Sequence, residues 1–200
     1  AVIPENVSKI SAYAFYLLEN LESINIPSKV EIIEDMAFTG CINLGTITVD
    51  ENNTVYDSRN SSNAIIETLT NTLIVGCKNT IISNDINTIK SNAFYSRSNL
   101  VNITIPSSIT TIEDFCFEGC GSLANIMVDE DNKNYSSLDG VLFDKNKEIL
   151  IRYPIGNKRT SYLIPDSVIT IGNRAFKDCH SLTGVIIPDS VATISDLAFF

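Results

Sequence analysis

The sequence repeats itself every 23 residues, and this period constrains the fold more than any other feature. The segment IPDSV occurs at 164–168 and again at 187–191, and Pro4 and Pro27 are separated by the same interval. A small residue followed by phenylalanine recurs in each copy, and a leucine follows six residues later. The phenylalanines are Phe15, Phe38, Phe94, Phe117 and Phe176, and the leucines are Leu21, Leu44, Leu100, Leu123 and Leu182. Repetition at such a fixed period is typical of proteins built from stacked supersecondary units.

A longer period of 79 residues relates two segments that interrupt the short repeats. An acidic stretch at 50–53 resembles another at 129–132, and Tyr56 matches Tyr135. Each stretch opens an irregular segment in which two apolar runs flank a short polar turn, at 63–76 and at 140–154. This pattern predicts a β-hairpin in each segment.

One copy of the repeat has too few apolar residues to close a core, so the copies must stack and bury one another. Side chains alternate along a strand, which points Ile24 and Ile26 inward and predicts parallel pairing of equivalent strands about 4.8 Å apart. We therefore predict one solenoid domain over residues 1–200. Its short repeats lie at about 3–25, 26–48, 82–104, 105–127 and 164–186, a truncated copy lies at 187–200, and hairpin units lie at about 50–81 and 129–163.

Composition and charge exclude several classes of partner. The chain carries a formal net charge of −10, and its 14 basic residues are scattered. Nucleic acids and anionic membrane surfaces need clustered Lys and Arg, so we expect neither as a partner. We expect no direct membrane insertion, because no apolar stretch approaches the roughly 18 residues of a spanning helix. The chain stops inside its sixth copy, which suggests a portion of a longer protein.

The repeat L-x-x-I-x-I-P followed by S-V-x-x-I-x-x-x-A-F-x-x-C resembles the BspA-like class of bacterial leucine-rich repeats, also called the Treponema pallidum type. The resemblance covers nearly the whole chain. It implies a right-handed, β-rich, curved solenoid with a parallel sheet on its concave face, short strands or irregular 3-10 segments on the convex side, and two inserted β-hairpin units. It also implies an extracellular or cell-surface bacterial protein that adheres to host proteins or to other cells. It implies no catalytic residues.

One slot departs from this family pattern. Cys41, Cys120 and Cys179 occupy its cysteine position, but Leu18 and Arg97 replace cysteine in copies one and three. An arginine in a normally buried slot predicts a local bulge or an exposed turn at residue 97.

Three other groups of residues could carry chemistry, and each has a simpler explanation. The cysteines recur with the repeat and are expected to be small buried fillers rather than metal ligands. The acidic stretch 129–134 could be a calcium loop, but Asn134 and Gly140 stand where an EF-hand needs Gly and Glu, so a solvated turn is expected. His180 could belong to a triad with Asp178 or Asp189, but no nucleophile accompanies it and an exposed turn explains it. We expect no metal, no cofactor and no enzyme activity.

The outward positions of the predicted strands form a broad, nearly uncharged surface that we call the ladder face. Its members are Ser23, Asn25, Thr46, Thr48, Asn79, Ile81, Asn102, Thr104, Asn125, Met127, Ser161, Leu163, Gly184 and Ile186. Rigid solenoids bind partners on such surfaces, but Thr and Asn are also ordinary solvent-facing residues of a sheet. Two functions remain open. The chain is an adhesion module for host or neighbouring-cell proteins or glycans, or it is a structural spacer that presents another domain of a longer protein.

Overall fold

The computed structural model describes all residues 1–200 and is built almost entirely of short strands. The strands, in chain order, are β1 (Lys9–Ile10), β2 (Ser23–Ile26), β3 (Ile32–Ile33), β4 (Thr46–Val49), β5 (Tyr56–Asp57), β6 (Ala64–Glu67), β7 (Thr72–Gly76), β8 (Thr88–Ile89), β9 (Asn102–Ile105), β10 (Thr111–Ile112), β11 (Asn125–Val128), β12 (Tyr135–Leu138), β13 (Val141–Asp144), β14 (Ile149–Arg152), β15 (Ser161–Leu163), β16 (Thr170–Ile171), β17 (Gly184–Ile186) and β18 (Thr193–Ile194). One 3-10 turn covers Arg59–Ser61. The structure contains no helix of the length and apolarity that a membrane span requires.

The chain forms two compact units, one of residues 1–100 with 111–120 and one of residues 101–110 with 121–200. In the first unit β2 pairs with β4, β1 pairs with β3, and a five-stranded sheet has the order β10-β8-β7-β6-β5. In the second unit β9 pairs with β11, β15 pairs with β17, and a five-stranded sheet has the order β12-β13-β14-β16-β18. Each unit is thus a β-solenoid with one hairpin unit, as the sequence predicted for the fold class.

The parallel pairs keep the 23-residue register of the sequence. In β2 and β4, Ile24 lies opposite Ile47 and Asn25 lies opposite Thr48. Ile24 and Ile47 are each 2% exposed, whereas Asn25 and Thr48 face solvent. Burial of alternate residues is what one solvated face and one buried face require. The position of these pairs on a concave surface stays a prediction from the resemblance.

Both predicted hairpins are present, and each continues into the parallel stack. Strands β6 and β7 pair antiparallel, and β7 then pairs in parallel with β8. Strands β13 and β14 pair antiparallel in the same way, and β14 then pairs in parallel with β16. The hairpin units therefore replace one turn of the coil without breaking its backbone hydrogen bonding.

The Ala-Phe segment of every copy is a tight turn bracketed by left-handed residues. In copy two, Met36 (φ 61°) and Gly40 (φ 78°) bracket Ala37 and Phe38. The same two positions have positive φ in the other copies, at Tyr13 and Leu17, Asn92 and Ser96, Phe115 and Gly119, Arg174 and Asp178, and Leu197. These turns place the Phe N–H against the next copy, so that Phe15 N donates to Ala37 O at 2.8 Å.

The phenylalanines of successive copies stack as rings. Phe15 and Phe38 have centroids 5.0 Å apart, and Phe94 and Phe117 have centroids 5.6 Å apart. In the second hairpin unit Tyr153 occupies the aromatic position and stacks on Phe176 at 5.3 Å. Stacked aromatic pairs of this kind add to the free energy gained from burying their area.

The first hairpin unit has no aromatic residue at this position, and Arg97 compensates. Gly76 N donates to Ala93 O at 2.8 Å, as Tyr153 N donates to Ala175 O. A Cβ at Gly76 would lie 2.2 Å from the ring of Phe94. The Arg97 side chain reaches into this region, where Nε donates to Gly76 O at 2.8 Å and Nη1 donates to Phe38 O at 2.7 Å.

The prediction of an exposed turn or bulge at residue 97 is therefore wrong, because Arg97 is only 3% exposed. Its guanidinium joins the carbonyls of two successive turns, which supplies hydrogen bonds to a buried charge. Desolvation lowers the pKa of Arg97. The second unit has the opposite arrangement, with the large Tyr153 in the hairpin and the small Cys179 three residues after Phe176.

The acidic stretches are turns that fasten each hairpin unit to the preceding repeat. Asn132 is fully buried, and its Nδ2 donates to Pro106 O at 2.8 Å and to Ile109 O at 3.0 Å. Its Oδ1 accepts from the backbone N–H groups of Asn134 and Tyr135. Asn53 makes the equivalent four hydrogen bonds. The solvated turn predicted from the sequence therefore has one buried member, the asparagine that closes it.

The paired roles of Gly76 and Arg97 can be tested by exchanging them for the residues of the second unit. Arg97→Cys leaves a cavity and two carbonyls without their donor, so we expect the free energy of unfolding in urea to fall by about 2–4 kcal/mol. Gly76→Tyr alone should also destabilise, because a Cβ at this position lies 2.2 Å from the ring of Phe94. The double variant should be more stable than the sum of the two single changes. Additive effects would contradict the compensation.

The anchoring role of Asn132 can be tested with a charge-matched control. Asn132→Asp places a carboxylate against the carbonyls of Pro106 and Ile109, so we expect the free energy of unfolding at neutral pH to fall by about 3 kcal/mol. The control is Asn134→Asp, which makes the same charge change at an exposed side chain and should cost less than about 0.5 kcal/mol. Equal losses in the two variants would show that Asn132 is no anchor.

Candidate binding face

In the first unit the ladder face is a regular grid of polar side chains. Ser23 lies opposite Thr46, and Asn25 lies opposite Thr48. All four side chains are exposed. Thr48 Oγ1 donates to Asn25 Oδ1 at 2.9 Å, which holds these two side chains in a fixed relation.

Asn79 and Ile81 are exposed. The sequence predicted that they belong to a strand, but the structure has no strand there. Residues 77–81 form a turn, because β7 ends at Gly76 and the chain returns within a few residues. Asn79 Nδ2 donates to Gly45 O at 3.2 Å, and Lys78 N donates to Leu44 O at 3.2 Å, which fixes this turn to copy two. Ile81 is 63% exposed.

In the second unit the ladder face changes from polar to apolar along the chain. Asn125 Nδ2 donates to Asn102 Oδ1 at 2.9 Å, and Thr104 lies opposite Met127. Ser161 lies opposite Gly184 and Leu163 lies opposite Ile186 in the next pair of strands. Met127, Leu163 and Ile186 are all exposed.

Asn125 is half-buried, unlike the other members of the ladder face. The turn of the second hairpin lies over it, since Gly140 O accepts from Ile126 N at 2.9 Å. A Cβ at Gly140 would come within 2.6 Å of Asn125 Oδ1. Asn125 therefore contributes less free surface than its position in the repeat predicted.

The ladder face can form hydrogen bonds and apolar contacts, but it has no group that titrates near neutral pH. Its fourteen residues are Asn, Thr, Ser, Gly, Ile, Leu and Met. Binding there would depend on shape and on uncharged hydrogen bonds, with modest dependence on salt. General acid–base and nucleophilic catalysis would need other residues.

The cysteines and His180 do not form a common site. All five cysteines are free, and the structure contains no cluster of three or more metal-binding side chains. Cys41 Sγ contacts Phe15 O at 3.0 Å and Cys120 Sγ contacts Phe94 O at 3.0 Å, which is the packing role expected from the repeat. His180 is exposed, and its Nε2 lies 4.0 Å from Asp178 Oδ1.

One cavity in the first unit lies between the Ala-Phe turns of copies two and three. Its volume is about 20 Å³, which is room for a water molecule rather than an organic substrate. Lys90 Nζ and Asp35 Oδ1 form an ion pair of 3.0 Å beside it. Ile74 and Val75 of the first hairpin unit also line it.

Comparison with known families matches the chain to one model. The model describes the BspA type leucine rich repeat region, and it matches six copies at residues 1–77, 70–150 and 156–200. A search of the curated proteins finds no match.

Several solved structures share the fold. A leucine-rich repeat protein from Eubacterium ventriosum is 25% identical with a TM-score of 0.67, and the match covers 100% of this chain and 50% of that one. The pneumococcal vaccine antigen PcpA is 24% identical with a TM-score of 0.56, covering 92% of this chain and 44% of that one. A leucine rich cell surface protein from Faecalibacterium prausnitzii is 21% identical with a TM-score of 0.51, covering 96% and 64%. The chain therefore spans about half to two thirds of the length of these proteins.

The packing role of the cysteines predicts their reactivity. Burial raises the pKa of the Cys41 and Cys77 thiols, and it raises the pKa of Cys179 to about 12. Thiolates are the reactive form, so the native protein should react slowly with an aromatic disulfide reagent at pH 8. We expect Cys179, which is half-buried, to react first. The other four should react only on unfolding in urea, and rapid native reaction of any of them would contradict this packing.

Proposed function

This chain belongs to the BspA-type leucine-rich repeat family, and we propose that it is a non-catalytic module that binds a protein or a glycan through the ladder face. The partner is a component of a host or of a neighbouring cell, and the parent is a bacterial surface or secreted protein. The observation that carries the proposal is the grid of exposed side chains held in register by parallel strands.

The grid is suited to binding because its side chains are already ordered. The pairs Asn25–Thr48 and Asn102–Asn125 are hydrogen-bonded across neighbouring strands. A partner that bonds to such side chains loses less conformational entropy than one that must immobilise free side chains. Preorganisation of this kind raises affinity without adding contacts.

Surface location of the parent is supported by its relatives. PcpA is described as a pneumococcal vaccine antigen, and the Faecalibacterium prausnitzii protein is described as a cell surface protein. An antigen and a surface protein are both accessible from outside the cell. A repeat module in the same setting meets proteins and glycans of other cells.

A structural spacer is the second candidate, and one observation favours it. Two pairs of side chains on the ladder face, Asn25 with Thr48 and Asn102 with Asn125, hydrogen-bond to each other. A spacer needs only this internal satisfaction and no partner. The two functions differ in whether a large charged residue on the ladder face has any consequence besides its effect on stability.

The test is a binding screen with immobilised protein against host extracellular proteins and a glycan panel. The variant Thr48→Arg/Thr104→Arg places two arginines on the ladder face and should weaken binding at least tenfold, because each blocks close contact and adds an unpaired charge. The control Leu69→Arg/Asn146→Arg makes a similar change at the exposed tips of the two hairpins and should bind as the unsubstituted chain does. Circular dichroism checks that all variants fold.

Each outcome separates the two functions. Loss of a partner in the ladder-face variant alone supports the binding module. Equal binding by both variants places the site elsewhere and contradicts the proposal. No partner in any panel favours the spacer.

A further inference from the structure

Two surface features, an apolar pair and a pair of carboxylates, occur together in the second unit. At the second outward position of the strand, Leu163 of the second hairpin unit and Ile186 of copy five are apolar, as Ile81 and Met127 are, whereas copies one to three have Asn25, Thr48 and Thr104. At the residue after the conserved proline, copies five and six have Asp166 and Asp189, copy one has Glu5, and copies two and four have Ser28 and Ser107. The stack itself does not need this combination, since copy two folds with Thr48 and Ser28 at these positions.

The two apolar side chains lie side by side on the surface. Leu163 lies opposite Ile186 in the register of β15 and β17. The side chains are 63% and 62% exposed. Equivalent residues of neighbouring strands are about 4.8 Å apart, so Leu163 and Ile186 form one continuous apolar strip.

The two carboxylates line the same groove as this strip. The groove is lined by Leu163, Ile186, Asp166 and Asp189 together with Ile187, Pro188 and Ser190. Both aspartates are exposed. Asp166 and Asp189 belong to neither the Arg159–Asp139 nor the His180–Asp178 ion pair.

We propose that this strip, Leu163 and Ile186 with Asp166 and Asp189, is a docking site for a cationic amphipathic peptide segment of the partner. An apolar side chain of the segment packs on Leu163 and Ile186, and a lysine or arginine beside it pairs with Asp166 or Asp189. The proposal rests on the proposed function and names the class of partner, a protein rather than a glycan.

Charge complementarity is the reason for this occupant. The strip presents two carboxylates on a chain of net charge −10, which attracts cations over a distance of about one Debye length, about 8 Å at physiological salt. An anionic peptide or a nucleic acid is repelled. A neutral glycan leaves the apolar strip without a matching apolar partner and the carboxylates without cations.

The probe is an eight-residue peptide of alternating lysine and leucine, titrated into the full chain by calorimetry. Two matched peptides replace lysine by glutamate or leucine by serine. We expect the lysine–leucine peptide to bind at least tenfold more tightly than either, and to bind more weakly when salt is raised from about 50 to about 200 mM. Equal binding of the lysine–serine peptide would overturn the role of the apolar strip.

Variants taken from other copies test the site without endangering the fold. Leu163→Thr/Ile186→Thr restores the threonine found at Thr48 and Thr104, and Asp166→Ser/Asp189→Ser restores the serine found at Ser28 and Ser107. Each pair should weaken the lysine–leucine peptide at least tenfold. The control Glu130→Ser/Asp131→Ser removes the same charge from exposed side chains of the same unit and should leave binding within about twofold. An equal loss in this control would reduce the effect to net charge and overturn the proposal.

The result is distinguishable from failure of the proposed function. If a screened partner is lost in the Thr48→Arg/Thr104→Arg variant but the peptide does not bind, the ladder face binds and this inference alone fails. If the peptide binds at the strip but no partner depends on Thr48 or Thr104, the strip is real and the wider binding face is wrong.

Discussion

The structure depends on one constraint, which is that each turn of the coil finds its backbone hydrogen-bond partners in the next turn. Phe15 N bonds to Ala37 O and Phe94 N bonds to Cys116 O, and the parallel strands do the same at the opposite side of the turn. A 23-residue copy buries too little apolar surface to fold by itself. Each copy must therefore have the length, the strand register and the ring position that match those of the next copy.

The hairpin units satisfy this constraint in two different ways. Each contributes one strand to the stack and sends a hairpin out from it. Each is held by a buried or half-buried asparagine that bonds to two carbonyls of the repeat before it. The interior differs, since one unit combines Gly76 with Arg97 and the other combines Tyr153 with Cys179. A ring position can thus be filled from its own turn or by a long side chain from the turn that follows.

Periodicity predicted the parts of the fold that depend on repetition. The inward Ile24 and outward Asn25 follow from strand alternation, and the two hairpins follow from apolar runs around polar turns. Periodicity could not predict the burial of Arg97, because its acceptors are the carbonyls of Gly76 and Phe38, which lie in other turns of the coil. Periodicity also missed the turn at Asn79 and the contact of Gly140 with Asn125. Both depend on the path that the chain takes at a hairpin, which the repeat does not specify. The signal that could have found Arg97 was the glycine where the second hairpin unit has Tyr153.

The pairing of Gly76 with Arg97 also limits how such a gene can change. Repeats of nearly equal sequence invite recombination, and a crossover between any two short copies preserves register because their length is constant. A crossover that replaces Gly76 alone puts a Cβ 2.2 Å from the Phe94 ring, and one that replaces Arg97 alone leaves the carbonyls of Gly76 and Phe38 without their donor. The piece of this chain that can be exchanged as a whole is therefore the hairpin unit together with the copy that follows it, rather than the single 23-residue repeat.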